Sequence, residues 1–597
     1  MELTPAKIRE PNKAPVNPVN ATPQAQAEPP KPQRTVKLVN GVLEISFSYD
    51  PTVVEQVKGL SGRKWNPASK TWTASLCDES VACLKEWGFA FDSEIKGSLP
   101  TAAAPEAKET ATTVTQIPGL KKTLFPYQME GVNFIQSRKG RALLADEMGL
   151  GKTPQALAWL QLNLQARPAI IVVPASLKLN WEREAGAWMT KPNTQVLSGR
   201  PSHEYKGTKP LGGDIIIVNY DILSNTVKKE KDPKTGKMKS VEIPGTGWID
   251  YLQKIKPKAL IIDEAHAIKN SDALRTKAVL KLAKEVDHMI ALSGTPIVNR
   301  PSEFFNPLSA IAPQMFPSFW KFAHRYCGAH HNGFGWDFTG ASHTGELHQR
   351  LTSSIMLRRV KKDVLKELPE KTRSLIPMPL NNEKEYRRAE LNLIQWLKTE
   401  FGAEKAEKAK KAEALTRIEA LKQLAVKGKL ESAIDWIKDF LENGERLVVF
   451  AVHKAVIDRL MEVFGAAAVK VDGSTPTNAR QAAVDAFQTD PKIRVFVGNI
   501  KAAGVGLTLT EASNTCFLEL GWTPGDMDQA EDRVHRIGQT ADSVTAWYLL
   551  AGGTIEEDIA ALIDYKRNVL SQALDGKDAE EGSMISELMK KLTKGEK

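Results

Sequence analysis

The nonapeptide Ala145–Thr153 constrains the fold more than any other stretch of this 597-residue chain. A short apolar run, Ala142–Ala145, comes just before it and is long enough for a buried strand. Pro154 follows, where the first turn of a helix accepts proline, and leucines repeat at helical spacing from Leu157 onward. The segment therefore predicts a turn between a strand and a helix N-terminus, where free backbone N–H groups favour anions.

The residues of this turn suit a phosphate-binding loop. Gly149 and Gly151 let the backbone close on a phosphate with no Cβ in the way. Lys152 is predicted to reach the β- and γ-phosphates of ATP, and Thr153 to hold Mg²⁺. Asp146 stands where the strict phosphate-loop pattern has its first glycine, so a chance Gly-Lys-Thr turn is the alternative at this point.

A second motif, Leu260–His266, places two adjacent carboxylates directly after an apolar strand. Ligands bind at this carboxyl edge in α/β sheets. Asp263 is predicted to hold Mg²⁺, and Glu264 to orient and deprotonate the attacking water. The alternative is an Asp-Glu pair that only caps a helix.

Apolar strand-like runs alternate with helical patterns in two separate series. This alternation predicts an α/β fold with two tandem lobes, each built on a parallel sheet covered by helices. The runs are Ala169–Val173, Asp214–Asn219, Ala259–Ile262 and Met289–Leu292 in the first series, and Leu447–Phe450, Val469–Val471, Arg494–Val497 and Thr515–Leu518 in the second.

Composition shifts along the chain predict its domain organisation. The module after the first segment is α+β, with a hairpin signal at Asn40-Gly41. The predicted segments are a disordered tail at 1–34, the α+β module at 35–98, a linker at 99–116, the first lobe at 117–371, a helical inter-lobe region at 372–428, the second lobe at 429–574 and a charged tail at 575–597.

Charge and cysteine content limit the class of partner. Lys and Arg outnumber Asp and Glu by 81 to 71, and the net charge of +10 suits a polyanion.

Four scattered cysteines indicate a reducing compartment. No apolar run is long enough to span a bilayer, and the N-terminus has no signal core. These features predict an intracellular protein with no membrane partner, in the cytoplasm or nucleoid of a bacterial host, or in a eukaryotic nucleus.

Four motifs together resemble those of one family. Asp146–Thr153, Asp263–His266 and Leu292–Pro296 look like motifs I, II and III of the Swi/Snf-type helicase-like ATPases of superfamily two, and Gln529–Gln539 looks like motif VI. That family carries Asp at the position of Asp146, and its second motif is a DEAH box. The resemblance covers about Leu124 to Glu557. It implies two RecA-like lobes with helical insertions between them, with ATP and Mg²⁺ as cofactors.

The resemblance also assigns roles to individual residues. Lys152, Glu264, Arg533 and Arg536 would be catalytic, and motif III, with Ser293, would couple the nucleotide state to DNA. An inserted guanidinium can contribute about a thousandfold in phosphoryl transfer, although a surface helix with ordinary ion pairs is the alternative on spacing alone. Nucleotide binding is implied for Gln128, Asp146, Gly149, Leu150, Gly151, Lys152, Thr153, Gly504 and Gln529, and DNA binding for Ser176, Asn219, Thr508 and Trp522.

The N-terminal module resembles a HARP-type module through Tyr49–Pro51, Gly59–Trp65 and Lys70–Trp72. That module accompanies the annealing, fork-remodelling members of the family. The residues themselves predict that Lys58, Arg63, Lys64 and Lys70 bind phosphates while Trp65 or Trp72 stacks on an unpaired base, with a core position as the alternative for each tryptophan.

The function implied is a monomeric, DNA-dependent ATPase that moves on duplex or forked DNA without sequence specificity. It would anneal strands or remodel branched DNA, with roles in DNA repair at the replication fork. One alternative is a duplex translocase that displaces or slides bound proteins, and another is an ATP-gated DNA-binding module. The lysine-rich stretch Lys228–Lys239 indicates an exposed loop, with a DNA-backbone contact as the alternative.

Overall fold

A computed structural model describes residues 34–58, 60, 62–76, 78–92, 113–201, 212–231, 238–294, 300–331, 336–338, 340–401, 408–504, 506–574 and 588. The chain divides into two compact units, Met1–Glu109 and Thr110–Lys597. The predicted disordered tail lies outside the described residues, apart from Arg34, as do most of the linker and of the charged tail. Among the described helices, none has the length and apolar character needed to cross a bilayer.

The first unit contains the predicted α+β module. Its five strands form one sheet in the order β3-β4-β2-β1-β5. The elements are β1 (Thr35–Val39), β2 (Val42–Ser46), α1 (Pro51–Lys58), β3 (Lys64–Asn66), β4 (Thr71–Ser75), α2 (Asp78–Glu86) and β5 (Ala90–Phe91). The predicted hairpin is confirmed, since Val39 pairs with Val42 and both turn residues, Asn40 and Gly41, have positive φ.

The second unit begins with the first lobe, whose described strands form a seven-stranded parallel sheet in the order β16-β6-β13-β12-β7-β9-β8. These strands are β6 (Arg141–Leu144), β7 (Ala169–Val173), β8 (Thr194–Val196), β9 (Ile215–Asn219), β12 (Ala259–Asp263), β13 (His288–Leu292) and β16 (Met356–Leu357). All four strands predicted in the first series are confirmed. Their near-continuous apolar sequences match burial on both faces, and every residue of β7 is fully buried.

Helices cover both faces of this sheet. They are α3 (Pro126–Ser137), α4 (Lys152–Leu162), α5 (Lys178–Trp188), α6 (Tyr220–Leu223), α7 (Ile249–Lys254), α8 (Leu274–Ala283), α9 (Phe305–Ile311), α10 (Phe319–Tyr326), α11 (Thr344–Ser354) and α12 (Lys361–Val364). Two small antiparallel hairpins lie outside the main sheet, β10 (Thr226–Lys231) with β11 (Met238–Ile243), and β14 (His330–His331) with β15 (Trp336–Asp337).

The second lobe is a six-stranded parallel sheet in the order β17-β22-β21-β18-β20-β19. It confirms the second predicted series of strands. The elements are β17 (Glu370–Met378), α13 (Glu383–Phe401), α14 (Lys408–Glu442), β18 (Leu447–Ala451), α15 (Lys454–Phe464), β19 (Ala468–Val471), α16 (Thr477–Thr489), β20 (Val495–Asn499), α17 (Ile500–Ala503), β21 (Asn514–Phe517), α18 (Pro524–Glu531), β22 (Ser543–Ala551) and α19 (Ile555–Leu574).

Two predictions about the inter-lobe region are wrong. The composition predicts a helical region from residue 372, but residues 372–378 belong to β17, which pairs in parallel with β22. This is an edge strand, so Pro377 is accepted there and its apolar pattern is weak. The predicted helices do follow, but α14 continues past residue 428 to Glu442 and so crosses the predicted start of the second lobe.

The exposed-loop interpretation of Lys228–Lys239 is also corrected. Its first four residues lie in β10, and its last two lie in β11. Thr226 pairs with Ile243 and Lys231 with Met238, so the lysines of these two strands lie within a β-hairpin. Residues 232–237, between the two strands, lie outside the described residues.

Candidate active site

The predicted phosphate-binding turn lies between β6 and α4. Gly149 and Gly151 have φ values of +87° and +73°, a region that glycine adopts without steric cost. Lys152 is the first residue of α4, and its Nζ donates to the carbonyl oxygens of Asp146, at 2.7 Å, and Glu147, at 3.2 Å. Thr153 follows it and is half-buried. The lysine and the helix N-terminus therefore face the same loop, as a phosphate cradle requires.

The acidic pair stands at the carboxyl end of β12. Trp181 Nε1 donates to Asp263 Oδ2 at 2.8 Å, and the N–H of Glu264 donates to Asp263 Oδ1 at 2.9 Å. Burial raises the pKa of Asp263 to about 6, and the charge of Glu264 adds to the rise. Both effects disfavour the ionised carboxylate, so a cation bound beside Asp263 would stabilise it.

Glu264 is held in an unusual conformation with one oxygen unused. Its φ is +52°, which is uncommon for a residue with a side chain. Its Oε2 atom is buried and accepts no hydrogen bond from the described residues, although His266 Nδ1 lies 3.4 Å away. Burial lowers the pKa of Lys152, and Glu264 is the strongest charge opposing that shift, so the carboxylate and the ammonium are close. An unsatisfied buried acceptor beside the phosphate loop is suited to a water molecule.

The two motif VI arginines lie on the facing wall, which the second lobe supplies. Arg533 donates to the carbonyl oxygens of Gln529, at 2.9 Å, and Leu507, at 3.1 Å. Burial lowers the pKa of Arg533 to about 10, and the nearby charge of Arg536 contributes, while Glu264 and Asp263 oppose the shift. Arg533 therefore lies within electrostatic range of the acidic pair in the other lobe.

Arg536 lies directly beside the phosphate loop. A Cβ placed on Gly149 would lie 3.1 Å from Cβ of Arg536. The guanidinium of Arg536 donates to the carbonyl of Leu507 at 2.9 Å and to Oγ1 of Thr508 at 3.0 Å. The structure thus brings together the lysine, the acidic pair and both arginines, although these five residues come from three distant parts of the sequence.

Three other predicted nucleotide-binding residues have protein partners. The Gln128 amide accepts from the N–H of Phe125 at 3.0 Å and donates to the carbonyl of Leu150 at 3.2 Å. Gly504 ends α17, and Gln529 is buried in α18 with its carbonyl bound to Arg533. A direct nucleotide contact by these residues stays a prediction.

Asp146 makes the most extensive contacts of the loop, and they are all with protein. Arg359 donates to both carboxylate oxygens, Nε to Oδ1 at 3.0 Å and Nη2 to Oδ2 at 2.6 Å. Gln155 Nε2 adds a bond to Oδ2 at 3.2 Å. Asp146 is fully buried. Its carboxylate therefore anchors the loop to Arg359, and its backbone carbonyl accepts from Lys152.

Sequence reasoning missed the segment that supplies Arg359. Residues 358–369, which we call the interlobe strap, connect β16 of the first sheet to β17 of the second. Arg358 Nη1 donates to the carbonyl of Ala145 at 3.1 Å, and the N–H of Lys361 donates to Glu147 Oε2 at 2.7 Å. The basic run Arg358–Lys362 is plain in the sequence, but nothing in it indicates contact with a loop 213 residues earlier. Trp181 was missed for the same reason.

Replacing Arg359 with methionine should lower the free energy of unfolding by about 3–5 kcal/mol, because it leaves the buried Asp146 carboxylate without its charge partner. Urea unfolding followed by tryptophan fluorescence measures the change. The double variant Arg359→Met/Asp146→Asn removes both charges and should recover part of the loss. Equal stability of the wild type and Arg359→Met would contradict this anchoring role.

The predicted DNA-binding residues fall into three places. Ser176 follows β7 and is half-buried, while Asn219 ends the neighbouring strand β9 and is 5% exposed. Thr508 is exposed but bound to Arg536, and Trp522 donates to Glu419 Oε2 at 3.2 Å.

Lys64 and Trp65 are exposed on β3 of the separate module, where the Trp65 ring lies 5.3 Å from that of Trp72. Contact of any of these residues with DNA stays a prediction.

Two family models match consecutive parts of the chain. The model of the SNF2-related domain matches residues 127–429, about half of the chain, and that of the helicase conserved C-terminal domain matches residues 429–538. The chain belongs to the SNF2-related family. The SNF2-related match begins one residue before Gln128 and includes the interlobe strap, and the second match ends beyond Arg536.

Curated relatives in the SNF2-related family align with nearly the whole chain. The SWI/SNF-related matrix-associated actin-dependent regulator of chromatin subfamily A-like protein 1 of Xenopus laevis is 32% identical over 90% of this chain and 54% of that protein. Its Caenorhabditis elegans homolog is 33% identical over 92% of this chain and 78% of that protein. The mouse DNA annealing helicase and endonuclease ZRANB3 is 34% identical over 81% of this chain and 44% of that protein. The chain thus spans about half the length of the first and third of these relatives.

The Sulfolobus solfataricus SWI2/SNF2 ATPase core in complex with dsDNA aligns at 25% identity and a TM-score of 0.36, over 76% of this chain and 93% of that chain.

Proposed function

We propose that this chain is a DNA-dependent ATPase that translocates on double-stranded or forked DNA and anneals strands or remodels branched DNA. The observation that carries the proposal is the meeting of Lys152 and the acidic pair with the motif VI arginines across the two lobes. A nucleotide bound in that cleft touches both lobes, so its hydrolysis can change how the lobes are held together.

Each group has a distinct role in phosphoryl transfer. Lys152 neutralises the phosphates, and Glu264 accepts a proton from the attacking water through its free Oε2. Arg536 has to leave Leu507 and Thr508 to reach the γ-phosphate, where its charge stabilises the transition state. Mg²⁺ bound by Thr153 and Asp263 would neutralise charge on the phosphate oxygens. The hydroxyl of Thr153 and the carboxylate of Asp263 are oxygen donors of the kind Mg²⁺ prefers, and the raised pKa of Asp263 shows that a cation beside it would stabilise its ionised form.

Two features support DNA as the partner. The net charge is +10, and relatives that match most of this chain include proteins named DNA annealing helicase. The module adds an exposed Lys64 next to Trp65, which is 48% exposed, and this pairing of a cation with an aromatic face suits single-stranded nucleic acid. A module that holds unpaired strands would direct the motor to forks.

ATP hydrolysis should be stimulated more by forked DNA than by duplex or single-stranded DNA of equal length. A titration of each DNA against a steady-state ATPase assay measures this. Deleting residues 35–98 should remove the preference for forks and leave stimulation by duplex DNA. If hydrolysis does not rise with any DNA, the proposal fails. If the deletion leaves fork remodelling intact, the data favour a translocase that displaces bound proteins.

A further inference from the structure

Lys361 is a buried cation at the junction of the two lobes. It is 3% exposed. Its Nζ atom lies 2.9 Å from Asp532 Oδ2 and donates to the carbonyl oxygen of His535 at 2.7 Å. It also lies 3.3 Å from Nδ1 of His535. These partners belong to the turn that carries Arg536 in the second lobe.

The same residue contacts the phosphate loop of the first lobe. The N–H of Lys361 donates to Glu147 Oε2 at 2.7 Å. A Cβ placed on Gly149 would lie 3.2 Å from Cε of Lys361 and 3.1 Å from Cβ of Arg536. Lys361 and Arg536 therefore both border the space above this glycine of the loop.

The imidazole of His535 completes this junction. Its Nε2 lies 2.8 Å from the carbonyl oxygen of Pro369, at the end of the interlobe strap. A carbonyl only accepts, so Nε2 carries a proton and Nδ1 is free to accept from Lys361. The strap thus holds His535 at two points, through Lys361 and through Pro369, and His535 is the residue immediately before Arg536.

We propose that Lys361 is a positioning residue that fixes where Arg536 stands relative to the phosphate loop. It acts through the backbone of His535, whose carbonyl it binds, and through Glu147, which belongs to the loop. The inference rests on the proposed ATPase function and adds a residue to which neither the motif pattern nor the comparisons give a role. When nucleotide binding moves the phosphate loop, Lys361 transmits this movement to Arg536.

If Lys361 only stabilised the fold, its replacement would lower the free energy of unfolding and would have no specific effect on kcat. Asp532 has a second cation, since Lys371 Nζ lies 2.9 Å from its Oδ1. Replacing Lys361 therefore does not leave Asp532 without a charge partner, and the loss of stability should be modest. The substitution keeps the backbone N–H bond to Glu147 but removes every contact of the Nζ atom: those with Asp532 and His535 in the second lobe, and the one at 3.9 Å with Glu147 Oε1 in the first. Lys371 cannot replace this bridge, because it lies in β17 of the second sheet.

The test is Lys361→Met in the full-length chain, with three measurements. We expect the DNA-stimulated kcat to fall by about a hundredfold, as for a misplaced catalytic group, while the Kd for ADP stays at the wild-type value. Combining Lys361→Met with Arg536→Ala should cost little beyond Arg536→Ala alone, because both changes remove the same contribution. The matched control is Lys362→Met, which removes an exposed lysine one residue along and should leave kcat unchanged.

Three results would overturn the proposal. The first is a folded Lys361→Met with the wild-type kcat, and the second is a loss of ADP affinity that matches the loss of kcat. The third is a double variant, Lys361→Met with Arg536→Ala, whose loss of kcat equals the product of the two single losses. If Lys361→Met does not fold, Asp532→Asn tests the same link from the second lobe with the same expectations. A wild-type chain with no ATP hydrolysis would instead refute the proposed function.

Discussion

Replacing Arg536 with alanine should lower the DNA-stimulated kcat by about a thousandfold or more. The affinity for ADP should stay close to the wild-type value. The arginine comes from the lobe opposite the phosphate loop and can meet the γ-phosphate only when both lobes enclose it. Its effect should therefore fall on the transition state and not on the ground state. Single-turnover hydrolysis and equilibrium binding of a fluorescent ADP measure the two quantities separately.

Two further variants sharpen this prediction. Arg536→Lys keeps a positive charge but loses the planar fork, so it should recover only part of the rate. Arg459→Ala removes an arginine on α15 whose partners are the exposed Glu431 and Glu462, and it should change neither rate nor affinity. An Arg536→Ala chain that hydrolyses ATP at the wild-type rate would show that Arg536 is not inserted during the reaction.

Glu264→Gln should reduce kcat by about a hundredfold to ten-thousandfold, because an amide of the same size cannot accept the proton from the attacking water. ATP binding should persist, since Lys152 and the loop backbone are unchanged. The variant should therefore remain bound to ATP, which a filter-binding assay would detect as slow dissociation of labelled ATP from the protein. Glu182→Gln on α5 removes a carboxylate from the same lobe and serves as the control.

An unchanged rate in Glu264→Gln would mean that another group takes the proton. Asp263 is the nearest candidate, but both of its oxygens accept bonds, from Trp181 and from the N–H of Glu264. Glu264 has the only orphaned oxygen of this pair. The geometry therefore supports Glu264 as the base.

Much of the scaffold was predictable because it depends on local patterns. The apolar runs of the central strands, such as Ala169–Val173, are buried on both faces and stand out from their surroundings. Gly149 and Gly151 mark the phosphate loop, and Asp263 follows its strand directly. These features need no knowledge of distant parts of the chain.

The parts that sequence reasoning missed depend on contacts far apart in the chain. Arg359 and Asp146 are separated by 213 residues, and Lys361 and His535 by 174. A basic run such as Arg358–Lys362 has the same sequence whether it lies in water or beside a buried carboxylate. The resemblance gave Asp146 a role at the nucleotide, yet only the structure shows that its carboxylate is fully used by Arg359 and Gln155.

The position of β17 has a consequence for how the chain matures on the ribosome. This strand is made early, but its partner β22 lies 173 residues later, as the contact between Thr372 and Thr545 shows. At a translation rate of about 5–20 residues per second, on the order of ten seconds or more separate the synthesis of β17 from that of β22. During that time its backbone has no ladder to join, which leaves it open to mispairing or to a chaperone. The length of the nascent chain should thus govern when β17 can join the second sheet.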